Sequence, residues 1–469
     1  MRAFLLVPLY FLAVCGMLGA APPNILIVLG DDIDRDSLGP WGGEALTPNL
    51  DTLAAEGVRL EHAYANVAMC APFRQELYSG RTAWRTRAMP NHSRSTEGTK
   101  SLPHYLRPLG YKVGLLGKSH VGPREAYPFD QVGDLPMKQD ANPIALQLAS
   151  DYMMAARDAG SPFCLVVASH DGHGPYTHGD VDAYDQDALQ LPDDAIDTPE
   201  YRRNLAQHYA EVTNLDALLG ELRKFLAQSG LAENTLVIFC SEQGNAFPFG
   251  KWTCFDDGLG SGIVAALPGK IPAGTSCPQI AWIADLCPTL VEAAGGTFAE
   301  ETFDGKSQWA NFLGANKPMH RYAHGAFSNC NIIDNRDRIF PIRSIRDERY
   351  TLVWSPRGAE EVTSNVTLTQ ALELIESGAT RKGGADVAAS WVLAADGDPD
   401  RQAIVQRLHH RPVWALYDRQ ADPEELINRV ADPEMAPVLE RLKTEMIAWL
   451  ERWDDADPVV TEQGFVRRQ

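Results

Sequence analysis

The chain lacks three things that would have pointed it to other classes of function. No two of its 8 cysteines stand in a C-x-x-C pair, so the zinc-ribbon signal is absent. Positive charge is scarce: 42 Lys and Arg face 62 Asp and Glu, a formal charge of −20, which argues against nucleic acid or anionic lipid as a general partner. Any anionic substrate must therefore be held by a local cationic pocket. A membrane-spanning run is missing as well, because the apolar N-terminal stretch from Ala3 to about Leu18 is short and broken by Pro8 and Gly16. Solenoid repeats and low-complexity tracts are also absent. What remains is an ordinary globular composition, 45% hydrophobic and 22% charged, in 469 residues that can bury a large core over several folding units.

The first residues carry one arginine, the broken apolar run and then Gly19, Ala20 and Ala21, which together read as a secretory signal peptide over 1–21. A lipoprotein ending at Cys15 fits less well, with Val14 before it. The expected location is secreted or periplasmic, with no stable membrane anchor. Cys164 and Cys240 lie in apolar strand-like runs and read as free buried thiols. Export permits a bond among Cys254, Cys277, Cys287 and Cys330 without indicating one.

Strand-like runs at 24–29, 58–65, 112–116, 163–168 and 235–240 alternate with helical patterns. Thr47 with Pro48 opens a helix closed by Gly57, and further helices are expected at 102–109 and 143–159. Thr198-Pro199 to Gly230 repeats Leu and Val every three or four residues, a long amphipathic helix. Pro72 suits the start of a helix running towards Tyr78, which places Cys70 at a helix N-terminus, where the dipole favours developing negative charge. The predicted fold class is α/β: a large, mainly parallel sheet flanked by helices, with polar residues delivered at strand ends. From about Arg321 the pattern changes to strands at 338–345, 350–354 and 412–417 and a helix at 433–453, a smaller C-terminal α+β subdomain. Gly383-Gly384 marks a mobile insertion within it. The expected division is a catalytic domain over 22–320 and a subdomain over 321–469.

Several polar segments follow these strands. Asp31-Asp32 ends the first, MCAPFRQELYSGR (69–81) holds Cys70, Pro72 and Arg74 as C-x-P-x-R, and GKSHVG (117–122) ends the third. HDGHGPY (170–176) ends the fourth, TLVIFCSEQGN with Gly250-Lys251 the fifth, and WALYDRQADPEELIN (414–428) lies near the end. In this order the segments resemble the sulfatase branch of the alkaline phosphatase superfamily over nearly the whole mature chain. The departures are Phe73, Tyr78, Gly172 in place of a frequent proline, and Glu242-Gln243, each one methylene longer than the usual pair.

The resemblance implies that Cys70 is oxidised to formylglycine by a formylglycine-generating or anaerobic sulfatase-maturating enzyme. Asp31, Asp32, Glu242 and Gln243 would then bind a metal. Four oxygen donors suit calcium, and less well magnesium, rather than zinc or copper. By the same resemblance Arg74 stabilises the aldehyde hydrate, Lys118 and Lys251 hold sulfate oxygens, His120 takes a proton from the second hydroxyl of the sulfated intermediate, expelling sulfate, and His173 protonates the leaving oxygen, with His170 and His178 as competitors for that role. A histidine suits both transfers because its ordinary pKa lies near working pH. The expected substrate is a sulfated glycan, with O-sulfate preferred. GKSHVGPREAYPFD (117–130) resembles the corresponding stretch of sulfamidases, which makes N-sulfoglucosamine a competing substrate. A phosphate or phosphonate monoester hydrolase of the same superfamily would carry similar metal carboxylates, and an inactive secreted glycan-binding protein would tolerate the departures at Phe73 and Glu242-Gln243.

Overall fold

The computed structural model describes residues 21–137, 139–328, 339–364, 366–379 and 384–467. The signal peptide except Ala21, together with Cys15, Cys330, Arg338 and Gly383, lies outside the described residues.

Among the described residues, twelve strands form two sheets. They are β1 (Asn24–Leu29), β2 (Val58–Tyr64), β3 (Lys112–Gly117), β4 (Asp130–Gly133), β5 (Phe163–Ala168), β6 (Thr235–Cys240), β7 (Gly260–Ala266), β8 (Thr275–Trp282), β9 (Ala323–Phe327), β10 (Ile342–Arg346), β11 (Tyr350–Trp354) and β12 (Trp414–Asp418). The large sheet has the order β4-β3-β5-β1-β6-β7-β2-β8. β7 alone runs antiparallel to its neighbours. β1 lies at the centre, with Ile25 in register with Cys164 of β5 and Leu236 of β6. Every residue of β1, β5 and β6 is buried, as expected of parallel strands covered on both faces. Each large aliphatic side chain buried there contributes about 1.5–3 kcal/mol.

Helices cover the large sheet in two groups. Pro48–Glu56, Asn142–Asp158 and Pro199–Gln228 pack together, as do Cys70–Ser79, Leu102–Leu106 and Leu286–Ala293. The long helix is capped as its sequence predicts, the Thr198 side chain accepting from Tyr201 N at 3.2 Å. Thr47 behaves differently from expectation. It makes no cap bond; its hydroxyl accepts from Gly39 N (3.1 Å), and Pro48 alone opens that helix. Cys254, Cys277 and Cys287 are free and buried, so the bond that export would permit is not made among them.

The small sheet is antiparallel, in the order β12-β11-β10-β9. Helix Ala436–Arg452 lays Leu442, Met446 and Leu450 against it. The strand expected at 338–345 starts later, at Ile342. Gly384 is a tightly packed helix start rather than part of a loose insertion, since a Cβ there would meet Ala246 O at 1.8 Å.

Candidate active site

All ten residues singled out from the sequence are delivered to the carboxyl end of the large sheet. Asp31 and Asp32 follow β1; Lys118 and His120 follow β3; His173 follows β5; Glu242, Gln243 and Lys251 follow β6. Cys70 begins the helix Cys70–Ser79 and Arg74 lies one turn on. Asp32 (φ 54°) and His120 (φ 48°) both occupy the left-handed region, at a cost of about 1–3 kcal/mol each that the surrounding packing sustains.

Asp31, Asp32, Arg74, Glu242 and Gln243 are buried. The nearest ligand atoms of Asp31, Cys70 and Glu242 all lie within 4.8 Å of one another. The cations close around this group. Lys118 Nζ pairs with Asp31 Oδ2, and Lys251 Nζ donates to both Asp32 oxygens (2.6 and 2.7 Å). Arg74 sets its Nε 2.5 Å from Glu242 Oε1, reaches to 3.9 Å from Asp31 and donates to Lys118 O at 2.7 Å. Gln243 Nε2 donates to Asp32 Oδ1 (2.6 Å).

Four buried oxygens of this group nevertheless lack any hydrogen-bond donor: Asp31 Oδ1, both oxygens of Glu242, and Gln243 Oε1. The Arg74–Glu242 approach is an ion pair without hydrogen-bond alignment. Burial disfavours the Asp31 carboxylate, but Lys118, His173, Glu242 and Arg74 outweigh it and hold its carboxyl well below the usual range. Glu242 moves the other way, raised by burial and by Asp31 against the pull of Arg74. Asp31, Asp32, Glu242 and Gln243 fit a hard cation, because such an ion would satisfy the donor-less oxygens and offset the charge that burial disfavours.

The Cys70 thiol is raised by burial, more than Lys251 and Lys118 lower it, so an unmodified thiol stays protonated and is a poor nucleophile. Beside it lies Asn91, its Oδ1 3.8 Å from Sγ, and His92 shares a 2.8 Å hydrogen bond with His120 Nε2. His120 is pushed down to about 3 by burial and by the charges of Lys118 and Arg74, which keeps its ring neutral.

The three histidines after β5 separate clearly. His173 places Nε2 3.7 Å from Asp32 Oδ2 and keeps 29% of its side chain exposed. Its Nδ1 lies 2.8 Å from Gly174 O; because a carbonyl can only accept, Nδ1 carries the proton and Nε2 faces the site. His178 is turned to Asp171 (3.0 Å) and is buried. His170 is pushed down to about 4, chiefly by burial. Gly172, where the family often has proline, has φ 94°, and a Cβ there would meet Asp31 O at 2.3 Å. Only glycine brings the two loops this close.

Asn91, His92, Asp171 and Glu211 lie outside the residues that the sequence singles out. Asn91 and His92 belong to no motif. Glu211 continues a buried polar stripe, Asn204, His208 and Glu211, at intervals of four and three on one face of the long helix, and that spacing could have revealed it.

A family model described as Sulfatase matches residues 23–296. An ulvan-active sulfatase of Formosa agariphila is 29% identical over 94% of this chain and 84% of its own length. The human N-sulphoglucosamine sulphohydrolase is 26% identical over 96% and 93%. Among solved structures, the putative sulfatase yidJ of Bacteroides fragilis superposes with a TM-score of 0.71 at 19% identity, covering 94% of this chain and 97% of its own. With more than half its length in that family model and its charged residues gathered at the carboxyl end of an alkaline phosphatase-like sheet, the chain belongs to the sulfatase family and is a sulfuric ester hydrolase.

Proposed function

We propose that this protein is a formylglycine-dependent, exo-acting glycan sulfatase that hydrolyses O-sulfate esters of a sulfated carbohydrate and releases inorganic sulfate. The observation that carries the reading is the setting of Cys70: at a helix N-terminus, within 4.8 Å of two acidic ligand atoms and under the charges of Lys118 and Lys251. A thiol held protonated there has no use as a thiol. An aldehyde hydrate has one, because its hydroxyl attacks sulfur without needing a thiolate.

Asp31, Asp32, Glu242 and Gln243 would hold calcium, which would supply a fixed positive charge for the sulfate and the attacking oxygen. Lys118 and Lys251 would grip non-bridging sulfate oxygens, offsetting the repulsion that shields a sulfate monoester from nucleophiles. Arg74, enclosed by Glu242 and Asp31, balances their charge and stabilises the hydrate. As one hydrate hydroxyl bonds to sulfur, its proton passes to the Asp31–Glu242 carboxylate pair beside residue 70. The sulfur–oxygen bond to the sugar breaks, and His173, carrying a second proton on Nε2 as an imidazolium facing Asp32, gives that proton to the leaving oxygen. His120 then removes the proton of the second hydroxyl; the carbonyl reforms, sulfate departs and water restores the hydrate. Residues 22–320 would form the catalytic unit and 321–469 a supporting subdomain, after an exported leader over 1–21.

N-sulfated glucosamine is the second reading, favoured by the 117–130 stretch and by the human relative that matches almost end to end. The test is sulfate release by purified, calcium-supplied protein from matched O- and N-sulfated mono- and oligosaccharides, with the mass of the peptide holding residue 70. Release from neither set, with good cleavage of phosphate esters, would replace this proposal by a phosphohydrolase. An unmodified thiol in the active protein would remove its mechanism.

A further inference from the structure

We propose that Glu211, at the middle of the long helix, is a positioning residue that fixes the loop presenting His173 to the leaving group. This rests on the assignment of His173 as general acid. Glu211 is buried, and its two oxygens reach both ends of one short loop. Oε2 accepts from Gly172 N at 3.0 Å, just before His173, while Oε1 accepts from Thr177 N (2.6 Å) and His178 N (3.2 Å), just after it. A single carboxylate thus staples 172 to 177–178 and leaves His173 at the crest.

Asp171 closes the same loop from the side. Its Oδ1 takes the His178 ring at 3.0 Å, and its Oδ2 accepts from Ser169 Oγ (3.0 Å) and from Asn214 Nδ2 (3.2 Å), one turn along the helix from Glu211. The loop is also joined to the Asp31 loop, Asp31 N donating to Asp171 O at 3.2 Å. Three carboxylate-bound backbone amides and this second tie replace the stiffness that a proline at 172 would bring. Asp171, His178 and Glu211 also have the residue types of a metal site, but each carboxylate oxygen already has a donor. The arrangement is that of a brace.

A brace for a general acid affects substrates unequally. A leaving group that departs readily as an anion needs little protonation, whereas a sugar alkoxide needs all of it. The experiment measures kcat/KM for aryl sulfates of graded leaving-group pKa and for a sulfated sugar, with wild type, His173→Ala, Glu211→Gln and Glu211→Asp, alongside thermal melting of each. The expected result is that Glu211→Gln loses roughly tenfold to a hundredfold on the poorest leaving groups, a fraction of the 10²–10⁴ of full general-acid catalysis. On 4-nitrophenyl sulfate it should stay within about twofold, steepening the leaving-group slope in the same sense as His173→Ala. Glu211→Asp keeps the charge but shortens the reach, and it should fall in between. Equal loss on every substrate, or no loss, would overturn the role of Glu211. A slope unchanged by His173→Ala would overturn the acid assignment itself, a separate outcome.

Discussion

Two buried clusters, each built on an Asp and a Glu, lie past the ends of β1 and its neighbours β5 and β6, and they differ in how their oxygens are used. Around Asp31 and Glu242, four oxygens have no donor, and the surrounding positive charge comes from side chains that do not satisfy them. Around Asp171 and Glu211 every carboxylate oxygen accepts an N–H or O–H. By residue type alone both would pass for metal sites. The difference teaches that a ligand site is marked by buried acceptors left open, whereas acceptors already filled mark a brace.

The comparison breaks most sharply at Cys70, which belongs to the open cluster. Cys70→Ala should lower turnover by roughly 10³ or more, the scale of removing a covalent nucleophile, while the melting temperature changes little. Comparable activity in the variant would make another residue the nucleophile. Calcium titrated against thermal melting sharpens it next. At 100 times its Kd, an ion bound only by the folded state adds about 2.7 kcal/mol, so melting should rise by a few degrees. Asp32→Asn should abolish the rise and Glu211→Gln should keep it; the opposite pattern would move the ion to the brace.

The smallest effect concerns Glu76, another filled carboxylate, which accepts from Ala83 N (2.7 Å) and Asn66 N (3.3 Å). Burial raises its pKa from 4.5 to about 8, more than those amides lower it. In the window between these values the unfolded chain has released the proton that the folded chain keeps. Stability from this group is therefore full below 4.5 and is lost as pH rises through about 8. Glu76→Gln should flatten the fall in unfolding free energy over that window by up to about 1.4 kcal/mol per pH unit, read from melting at each pH. A slope equal to wild type would mean that Glu76 is ionised throughout.

How much of this was legible in the sequence depended on burial. β1, β5 and β6 announce themselves because strands covered on both faces must be apolar throughout. β4 has four residues, none buried, and β7 opens on Gly-Ser-Gly, so neither carries a pattern to read. β8 is an edge strand whose first half alternates around Cys277-Pro278, a position that tolerates proline because no second neighbour needs the amide. The residues of the open cluster were legible because they follow strands in recognisable segments. Glu211 was legible only as one member of a buried polar stripe on the long helix, and its role was not, because its partners are backbone amides some 33 to 39 residues away that only the folded chain brings to it.

The reversed direction of β7 has a consequence for how this catalyst could diversify. The chain leaves β6 at Cys240 and returns in β7, with Cys240 opposite Ile263, the four-residue helix Asp256–Leu259 being the one helix between them. Residues 241–259 are thus an excursion with both feet planted on adjacent strands, and Glu242, Gln243 and Lys251 all ride on it. On the proposed roles, two of the four ion ligands and one of the two anion-holding lysines would travel as one cassette. A recombination confined to these residues would alter both properties together while leaving the helix Cys70–Ser79 and the loop of His173 in place.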